Sequence, residues 1–433
     1  MAVAAMAPGG LLRARAQEVV AALDVGTSKV AALIAALEPD GPPQVLGCGV
    51  RASAGLRRGL VADMARTEEA IRAAMMQAER AAGIEVESVL VSVSGAGLGS
   101  EVTSVTIDIA GHRITEADME RLLLAGREEV EARVRATGRT ALHAEPALYV
   151  VDGLDGVADP VGFHARQLAV DIHVVSADTP PCRNLDLAVR NAHLDVDGIV
   201  AGPVAASAAV LAPEEAELGV AVVEIGAGVT GIAVHGGGVL AGLASVPMGA
   251  GDITADIARA FATPRAAAEK LKTLHGAATA APRDNHDLVD IPPIDPDDGP
   301  EVRRVPKAEL VAVIRTRLDL LFREVDDQLA ALGFRGPAGR QVVLTGGGAE
   351  LRGIAEFAAS ALGRSVRIGR PRGLAGLPEA QSGPAGATLA GLVLRAARPA
   401  IDLGRIRPRP RGTVGAPAGT AWSRLVEILK RQF

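Results

Sequence analysis

Three glycine-rich stretches of the chain combine small, hydroxyl-bearing and charged residues in a way that could hold phosphate groups. In the first, DVGTSK, Asp24 could hold a magnesium ion through water, and Lys29 could add positive charge. Between them, Gly26, Thr27 and Ser28 could wrap phosphate oxygens, because small turn residues let backbone N–H groups approach an anion closely. This turn therefore predicts one side of a nucleotide site.

Two later stretches have the same character. The second, EIGAGVTG, supplies Glu224, Gly226, Ala227, Gly228, Val229 and Thr230. In the third, a β-type run enters Gly346, Gly347 and Gly348 and leads into a helical stretch, which predicts a helix N-terminus at the site. One such turn often only reverses the chain, but three in this order indicate nucleotide binding. We therefore prefer that role for Asp24 and Lys29 over turn charges without a ligand, whereas both interpretations stay open for Glu224.

The elements that must position these turns form two similar halves. Residues 18–37 are two apolar β-type runs joined by a small polar turn, and residues 219–247 repeat this pattern. Helical stretches follow at residues 66–82 and 252–262. A block at residues 96–171, in which Thr115 and Asp118 predict a capping box, indicates a small α+β insertion, and a long helix is expected from Lys307 to Leu332.

Composition and charge limit the classes of protein. Nearly half of the 433 residues are apolar and the formal charge is -6, which favours a soluble globular protein over a nucleic-acid binder. The two cysteines and eight histidines show no metal-type spacing, so no metal site made by protein ligands alone is expected. No apolar run is long enough to span a bilayer. From Arg405 onward, seven basic residues face one acidic residue, which makes the C-terminal tail a separate basic segment.

The last fifteen residues, GTAWSRLVEILKRQF, are amphipathic. On a helical wheel one side is apolar and formed by Trp422, Leu425, Val426, Ile428, Leu429 and Phe433. The other side carries Arg424, Lys430 and Arg431. Such a helix on a basic, Pro- and Gly-rich tether is typical of attachment in the plane of a membrane interface, and we prefer this to a helix that packs back onto its own domain.

Taken together, these motifs resemble the bacterial cell division protein FtsA family, within the actin, Hsp70 and sugar-kinase superfamily. The resemblance covers nearly everything from residue 19 to the end. It is carried by LDVGTSKVAALIA, GVAVVEIGAGVTGIAVHGGGVL, VPMGAGDITADIARAF, AEKLKTLHG, VVLTGGGAELRG, SVRIGRP and the tethered terminal segment. It implies an α/β fold: a two-lobed, actin-like ATPase fold with an inserted α+β subdomain and a C-terminal amphipathic helix.

The resemblance also implies a division of the chain and a set of partners. The expected parts are a flexible leader (1–18), subdomain IA (19–95 and 172–212), the inserted subdomain IC (96–171), subdomain IIA (213–255 and 335–398), subdomain IIB (256–334), a flexible basic linker (399–418) and a membrane-targeting helix (419–433). ATP and Mg²⁺ are expected between the lobes, with Glu269 and Lys272 near the ribose and adenine. The implied role is to polymerise on anionic lipid at the cytoplasmic face of the inner membrane at the division septum, tether FtsZ there and recruit later division proteins.

The second turn departs from the family pattern, Asp-x-Gly-x-Gly-Thr. Glu224 replaces the Asp, Val229 replaces the Thr, and Gly231 replaces a following polar residue. Glu224 is one methylene longer and Val229 lacks a hydroxyl, so the side chains that would orient water and metal are altered. We expect ATP binding with at most weak ATPase activity.

For the partner site, the resemblance implies that the C-terminal peptide of FtsZ binds subdomain IIB. Basic residues occur there at Arg304, Lys307, Arg315 and Arg317, opposite an acidic loop with Asp295, Asp297 and Asp298. The alternative is an ordinary solvated basic face. Two other functions stay open: a metabolite kinase of the same superfamily, for which the terminal helix has no use, and an actin-like pilus-assembly platform, which lacks that helix.

Overall fold

The computed structural model describes residues 18–39, 41–95, 97–294, 303–335, 341–397 and 402–403. The strands are β1 (Glu18–Val25), β2 (Lys29–Leu37), β3 (Gln44–Ala52), β4 (Leu56–Arg57), β5 (Leu60–Val61), β6 (Ser88–Val93), β7 (Gly99–Asp108), β8 (Arg139–Val151), β9 (Leu154–Val157), β10 (Gln167–Asp178), β11 (Asp195–Ala201), β12 (Val220–Ile225), β13 (Thr230–Gly236), β14 (Val239–Val246), β15 (Leu288–Ile291), β16 (Arg303–Pro306), β17 (Gln341–Thr345) and β18 (Ser365–Ile368). The helices are α1 (Met64–Ala82), α2 (Glu116–Ala136), α3 (Thr179–Asn191), α4 (Gly202–Val210), α5 (Pro213–Leu218), α6 (Ala250–Phe261), α7 (Arg265–His275), α8 (Lys307–Ala331), α9 (Ile354–Leu362), α10 (Glu379–Ser382) and α11 (Ala387–Ala397).

The first lobe is built on a five-stranded sheet in the order β11-β6-β1-β2-β3. Strands β1 and β2 form the predicted hairpin, with a register that runs from Glu18 opposite Leu37 to Val25 opposite Val30. Strand β1 is parallel to β6 on its other side. The central strands are apolar on both faces because helices cover both, which explains why β2 is a continuous apolar run without alternation.

The second lobe repeats this arrangement and confirms the predicted repeat. Its sheet has the order β14-β13-β12-β17-β18, with β12 and β13 as an antiparallel hairpin and β12 parallel to β17. The first hairpin turn therefore has a counterpart at the same place in the second lobe. In both lobes the turn lies at the end of the strand that pairs with a parallel neighbour, where ligands bind in open α/β sheets.

Helices α4 and α11 pack against each other and against strands of both lobes. Their backbones come so close that a Cβ atom built on Gly391 would lie 1.7 Å from the carbonyl oxygen of Ala205. Only glycine fits at this crossing. The pair therefore fixes the two sheets relative to each other at the base of the cleft.

The predicted insertion is present as an α+β unit. Its sheet has the order β7-β10-β8-β9, and α2 covers one face over its own hydrophobic core. Helix α2 begins with the predicted capping box, in which Thr115 Oγ1 accepts a hydrogen bond from the N–H of Asp118 and Asp118 accepts one from the N–H of Thr115. The long helix expected from Lys307 is α8, which ends at Ala331.

The flexible linker expected from residue 399 is not free at its start, because residues 402 and 403 are held on the insertion. Leu403 is fully buried in the core of the insertion. Asp402 accepts a hydrogen bond at 3.0 Å from the backbone N–H of Ala144 in β8. A buried leucine and a satisfied carboxylate hold this dipeptide on the insertion, so a free linker can begin only after it. Most of the predicted leader, the acidic loop, the rest of the linker and the terminal helix lie outside the described residues.

Within the described residues, no helix has both the length and the apolar character needed to cross a membrane. The two cysteines, Cys48 and Cys182, are both free thiols.

Candidate nucleotide-binding cleft

The three glycine-rich turns meet in one cleft between the lobes, which encloses a cavity of about 490 Å³. Of the predicted ligand residues, those that line it are Asp24, Gly26, Thr27, Ser28, Lys29, Glu224, Gly226, Ala227, Gly228, Val229, Glu269, Lys272, Gly346, Gly347 and Gly348. Thr230 does not line it: its side chain is fully buried, and its hydroxyl donates to the carbonyl of Met248 at 2.9 Å. Strand alternation points Thr230 away from the cavity.

The turns of the two hairpins close in the same way. The N–H of Gly26 donates to the carbonyl of Lys29 at 3.0 Å, and the N–H of Gly226 donates to the carbonyl of Val229 at 2.9 Å. A Cβ atom on Gly226 would lie 2.8 Å from that carbonyl oxygen, so glycine is required.

This closure leaves backbone donors over for a ligand. Among the described residues, no protein acceptor takes the N–H groups of Thr27, Ser28, Ala227 or Gly228. Free N–H groups on both sides of a cleft are suited to phosphate oxygens.

The third turn differs from the expectation of a helix N-terminus. Gly346 has a φ of 82°, and a single 3-10 turn, Gly347–Glu350, follows it. Helix α9 begins only at Ile354, because the left-handed Gly353 interrupts the chain first. The glycines are needed for close approach, since a Cβ on Gly348 would lie 2.3 Å from the side chain of Ile225. The turn therefore offers a flat backbone surface without a helix terminus.

Two carboxyl groups, one from each lobe, face the cleft. Burial raises the pKa of Asp24, although the Ser92 hydroxyl donates to it at 2.5 Å and Lys29 lies nearby. Burial also raises the pKa of Glu224, to about 7, and Asp24 adds to this shift. Glu224 is 8% exposed, so it is not a surface turn charge. Its Oε1 accepts a hydrogen bond from Thr388 in α11, and its Oε2 is buried without a protein partner in the described part of the chain.

At the other end of the cleft, Glu269 and Lys272 of α7 are tied to α6. The Nζ of Lys272 lies 2.8 Å from Glu269 Oε2 and 2.8 Å from the hydroxyl of Thr254. Burial raises the pKa of Glu269, but the hydrogen bonds from Lys272 and Thr254 outweigh it and leave this pKa lowered. The wall of the cavity therefore carries the charged carboxylate of Glu269 and the ammonium group of Lys272, which is fixed by its hydrogen bonds.

The four basic residues predicted for a partner peptide do not form one face. Lys307 is paired at 2.7 Å with Asp284 and its side chain is only 12% exposed. Arg317 is paired at 2.5 Å with Asp256 of α6, whereas Arg315 lies over the ring of Phe357 in α9. Arg315 and Arg317 are two positions apart on α8, so their side chains leave the helix in different directions and contact different residues.

Arg304 lies on β16 and is exposed, in a solvent-facing ion pair with Asp290. Of the four predicted residues, only Arg304 and Arg315 are exposed. The prediction of one basic surface shared by all four is therefore wrong.

Sequence reasoning missed several residues of the cleft. Thr388 holds Glu224, and Gly59 lines the cavity from the β4–β5 hairpin. Arg58 of the same hairpin forms an ion pair with Asp252 of the other lobe. None of these belongs to the three predicted glycine-rich turns. In the described residues, no cluster of three or more His, Cys, Asp or Glu side chains could hold a metal ion.

Comparison with known families gives two matches. The model of the family "Cell division protein FtsA" matches residues 221–391, and that of the "SHS2 domain inserted in FTSA" matches residues 95–176. The second range covers α2 and the inserted sheet, apart from the last two residues of β10.

Similar curated proteins agree with these models. The cell division protein FtsA of Rhizobium meliloti (strain 1021) is 37% identical over 394 residues, covering 88% of both chains. That of Agrobacterium fabrum is 34% identical and covers 98% of this chain and 96% of its own. That of Escherichia coli K12 is 31% identical, with 88% and 91% covered.

Solved structures share the fold at low identity. A PilM-PilN type IV pilus biogenesis complex gives a TM-score of 0.61 at 20% identity, covering 88% of this chain and 99% of that chain. MreB5 of Spiroplasma citri bound to ADP gives 0.50 at 14% identity, covering 87% and 95%. These likenesses establish an actin-like fold.

Proposed function

The chain belongs to the FtsA family of cell division proteins, and on that basis we propose that it is an ATP-binding, actin-like scaffold that tethers FtsZ to the membrane. One observation carries the nucleotide part: three glycine-rich turns from distant parts of the chain converge on one cleft with unused backbone donors.

The residues of the cleft fit Mg²⁺-ATP. Thr27, Ser28, Ala227 and Gly228 offer N–H groups to phosphate oxygens, and Lys29 adds a positive charge. Asp24 would hold the magnesium ion through water. Glu269 and Lys272 would hold the ribose end of the nucleotide. When bound, ATP supplies a cleavable phosphoanhydride bond.

Hydrolysis at this site is proposed to be slow. The longer side chain of Glu224 is held by the Thr388 hydroxyl, and Val229 brings no hydroxyl to the cleft. The second turn then offers no hydroxyl to orient a water molecule, and its carboxyl group is held through one oxygen by α11. The nucleotide acts on this account as a structural ligand that joins the lobes.

The membrane part rests on the sequence of residues 419–433. A short amphipathic helix binds an anionic surface reversibly, and a polymer of this chain would link many such helices, so that attachment becomes firm by avidity. We place the protein at the cytoplasmic face of the inner membrane at the septum, where FtsZ and later division proteins are its partners.

A reconstitution with anionic liposomes tests this function. The full chain with Mg²⁺-ATP should sediment with the liposomes and carry FtsZ with it, whereas a chain ending at residue 418 should do neither while keeping its fold. Equal sedimentation of the shortened chain would refute the membrane role. Phosphorylation of a sugar or metabolite at ordinary enzyme rates would favour the kinase instead.

Calorimetry tests the nucleotide site with a matched pair of variants. Gly228→Ala places a Cβ 2.8 Å from the Thr27 hydroxyl oxygen, whereas a Cβ at Gly236 meets no atom within 4 Å. ATP binding should weaken at least about tenfold in Gly228→Ala and stay unchanged in Gly236→Ala. Undetectable ATP binding by the folded wild-type protein would remove the nucleotide-binding function.

A further inference from the structure

The β4–β5 hairpin crosses the phosphate end of the cleft. Leu56 pairs with Val61 and Arg57 with Leu60, which leaves Arg58 and Gly59 as a two-residue turn. Both have positive φ values, 50° for Arg58 and 72° for Gly59, as such tight hairpins require. Glycine adopts this region freely but arginine does not, so a compensating contact is expected at Arg58.

That contact is made with the other lobe. The guanidinium of Arg58 lies 3.2 Å from Asp252 Oδ1 in the first turn of α6. The second carboxylate oxygen of Asp252 accepts the N–H of Gly249 at 2.9 Å, so the carboxylate is held in place from its own side. The ion pair therefore links a turn of the first lobe to a fixed group of the second.

The same hairpin touches both hairpin turns of the nucleotide site. The N–H of Gly59 donates to Thr27 Oγ1 at 3.0 Å. A Cβ built on Gly228 would lie 3.0 Å from the Cα of Arg58, and one built on Gly59 would lie 3.5 Å from Val229 Cγ2. The hairpin thus packs over the turn at Gly26–Ser28 and the turn at Gly226–Val229.

The hydrogen bond from Gly59 has a chemical consequence for Thr27. A hydroxyl has one proton and accepts through its lone pairs. Because Thr27 Oγ1 already accepts from Gly59, its own proton stays available for donation, and Thr27 lines the cavity. The hairpin therefore prepares Thr27 as a donor to an anion.

We propose that Arg58 is a positioning residue of the nucleotide site. Its ion pair with Asp252 holds the β4–β5 hairpin over both turns, which orients the Thr27 hydroxyl toward bound phosphate and slows escape of the nucleotide. The inference rests on the proposed nucleotide-binding function and adds a cross-lobe latch that controls the dissociation rate.

The first test needs no nucleotide. Hydrogen–deuterium exchange of the full chain should show faster exchange in residues 56–61 for Arg58→Ala than for wild type, because the turn loses its anchor. Arg57→Ala, the exposed neighbour in the same hairpin, should not show this, and Arg58→Lys should stay near wild type. Unchanged exchange in Arg58→Ala would overturn the latch, whatever the protein binds.

The second test is nucleotide release. With a fluorescent ATP analogue and Mg²⁺, Arg58→Ala should raise the dissociation rate about three- to fivefold and change the association rate less, as expected for a half-exposed ion pair. Asp252→Asn should act alike, and the double variant should be no faster than either single one. Fully additive effects, or a dissociation rate equal to wild type, would overturn the positioning role. Absence of analogue binding by wild type would instead overturn the nucleotide function, and the exchange experiment separates the two.

Discussion

At the scale of single residues, the second turn shows how one added methylene changes a site. Glu224 reaches α11, where Thr388 donates to one carboxylate oxygen. Burial and the nearby Asp24 raise its pKa to about 7, so near neutral pH the protonated form of the group is populated. A carboxyl in this state is a poorer partner for a magnesium-bound water than a fully charged aspartate. Backbone contacts to phosphate do not depend on it.

The first prediction concerns turnover. Changing Glu224→Asp and Val229→Thr together should raise ATP hydrolysis at least about tenfold, because a shorter carboxylate and a hydroxyl would orient water and metal. Phosphate release under single-turnover conditions measures this. Val229→Thr alone serves as the control for the hydroxyl, and an unchanged rate in the double variant would contradict the explanation of slow hydrolysis.

At the scale of elements, the segment after α11 is anchored to the insertion. Leu403 packs near Gly126 of α2 and is fully buried, although it belongs to a stretch rich in Gly, Arg and Pro. Asp402 adds its bond to β8. The C-terminal tail therefore starts from the insertion, so that its attachment point and the position of the insertion are coupled.

The second prediction tests this anchor. Leu403→Ala should lower the free energy of unfolding by about 2–4 kcal/mol, the cost of removing a buried leucine side chain. Urea denaturation measures it, and Leu288→Ala, at a leucine that is 59% exposed, is the control. Equal denaturation midpoints for Leu403→Ala and wild type would show that the dipeptide is not docked in solution.

The third prediction concerns the exposed basic residues of α8 and β16, which the family resemblance makes a candidate site for the FtsZ peptide. Lys307 and Arg317 are held in largely buried ion pairs with Asp284 and Asp256, whereas the pair of Arg304 with Asp290 is open to solvent. Binding of the acidic FtsZ peptide should therefore depend on the exposed Arg304 and Arg315. Reversing both charges should weaken it by about 1–2 kcal/mol.

Fluorescence anisotropy at physiological salt measures this. Arg133→Glu with Arg135→Glu on the insertion, where the side chains are 47% and 82% exposed, is the control for the same change in net charge. If reversal at Arg304 and Arg315 leaves the affinity unchanged, the peptide binds elsewhere.

At the scale of the whole molecule, three histidines lie where the insertion meets the two lobes. His143 of β8 accepts the N–H of Ala201 at 3.0 Å, and His173 of β10 and His235 of β13 each have a buried ring nitrogen without a protein partner in the described chain. Burial lowers the pKa of all three, to about 4 for His173 and for His235. At neutral pH these rings are therefore neutral in the folded protein.

The fourth prediction follows from the sign of these shifts. Below pH 6.5 the unfolded chain binds protons at His173 and His235 while the folded protein does not until the pH nears 4, so stability is lost as the pH falls between these values. At pH 5 the loss should be about 2 kcal/mol each for His173 and His235. Urea titrations between pH 7 and pH 5 measure the slope. His173→Gln with His235→Gln should flatten it, and an equal slope in this variant would refute the assignment.

Several features could be predicted from the sequence because their causes are local. In each hairpin turn a glycine, Gly26 or Gly226, donates its N–H to the carbonyl of the residue three positions later. The sequence motif therefore predicts the turn geometry directly. The capping box at Thr115 and Asp118 likewise spans one turn of chain. Short apolar β-type runs joined by a small turn indicated hairpins, and repetition of the hairpin indicated two similar halves.

Only the tertiary structure decided which distant groups meet. Arg58 and Asp252 are 194 positions apart, and Glu224 and Thr388 are 164 apart, so no spacing rule connects them. A charge in a sequence does not reveal its partner, which is why Lys307 and Arg317 were expected on a binding surface but are paired inside.

Burial of Leu403 depends on a groove formed by the insertion, and the same leucine in an isolated Gly- and Arg-rich segment would remain in solvent. Long-range pairing and burial are set by packing of the whole chain, and local sequence carries no record of them.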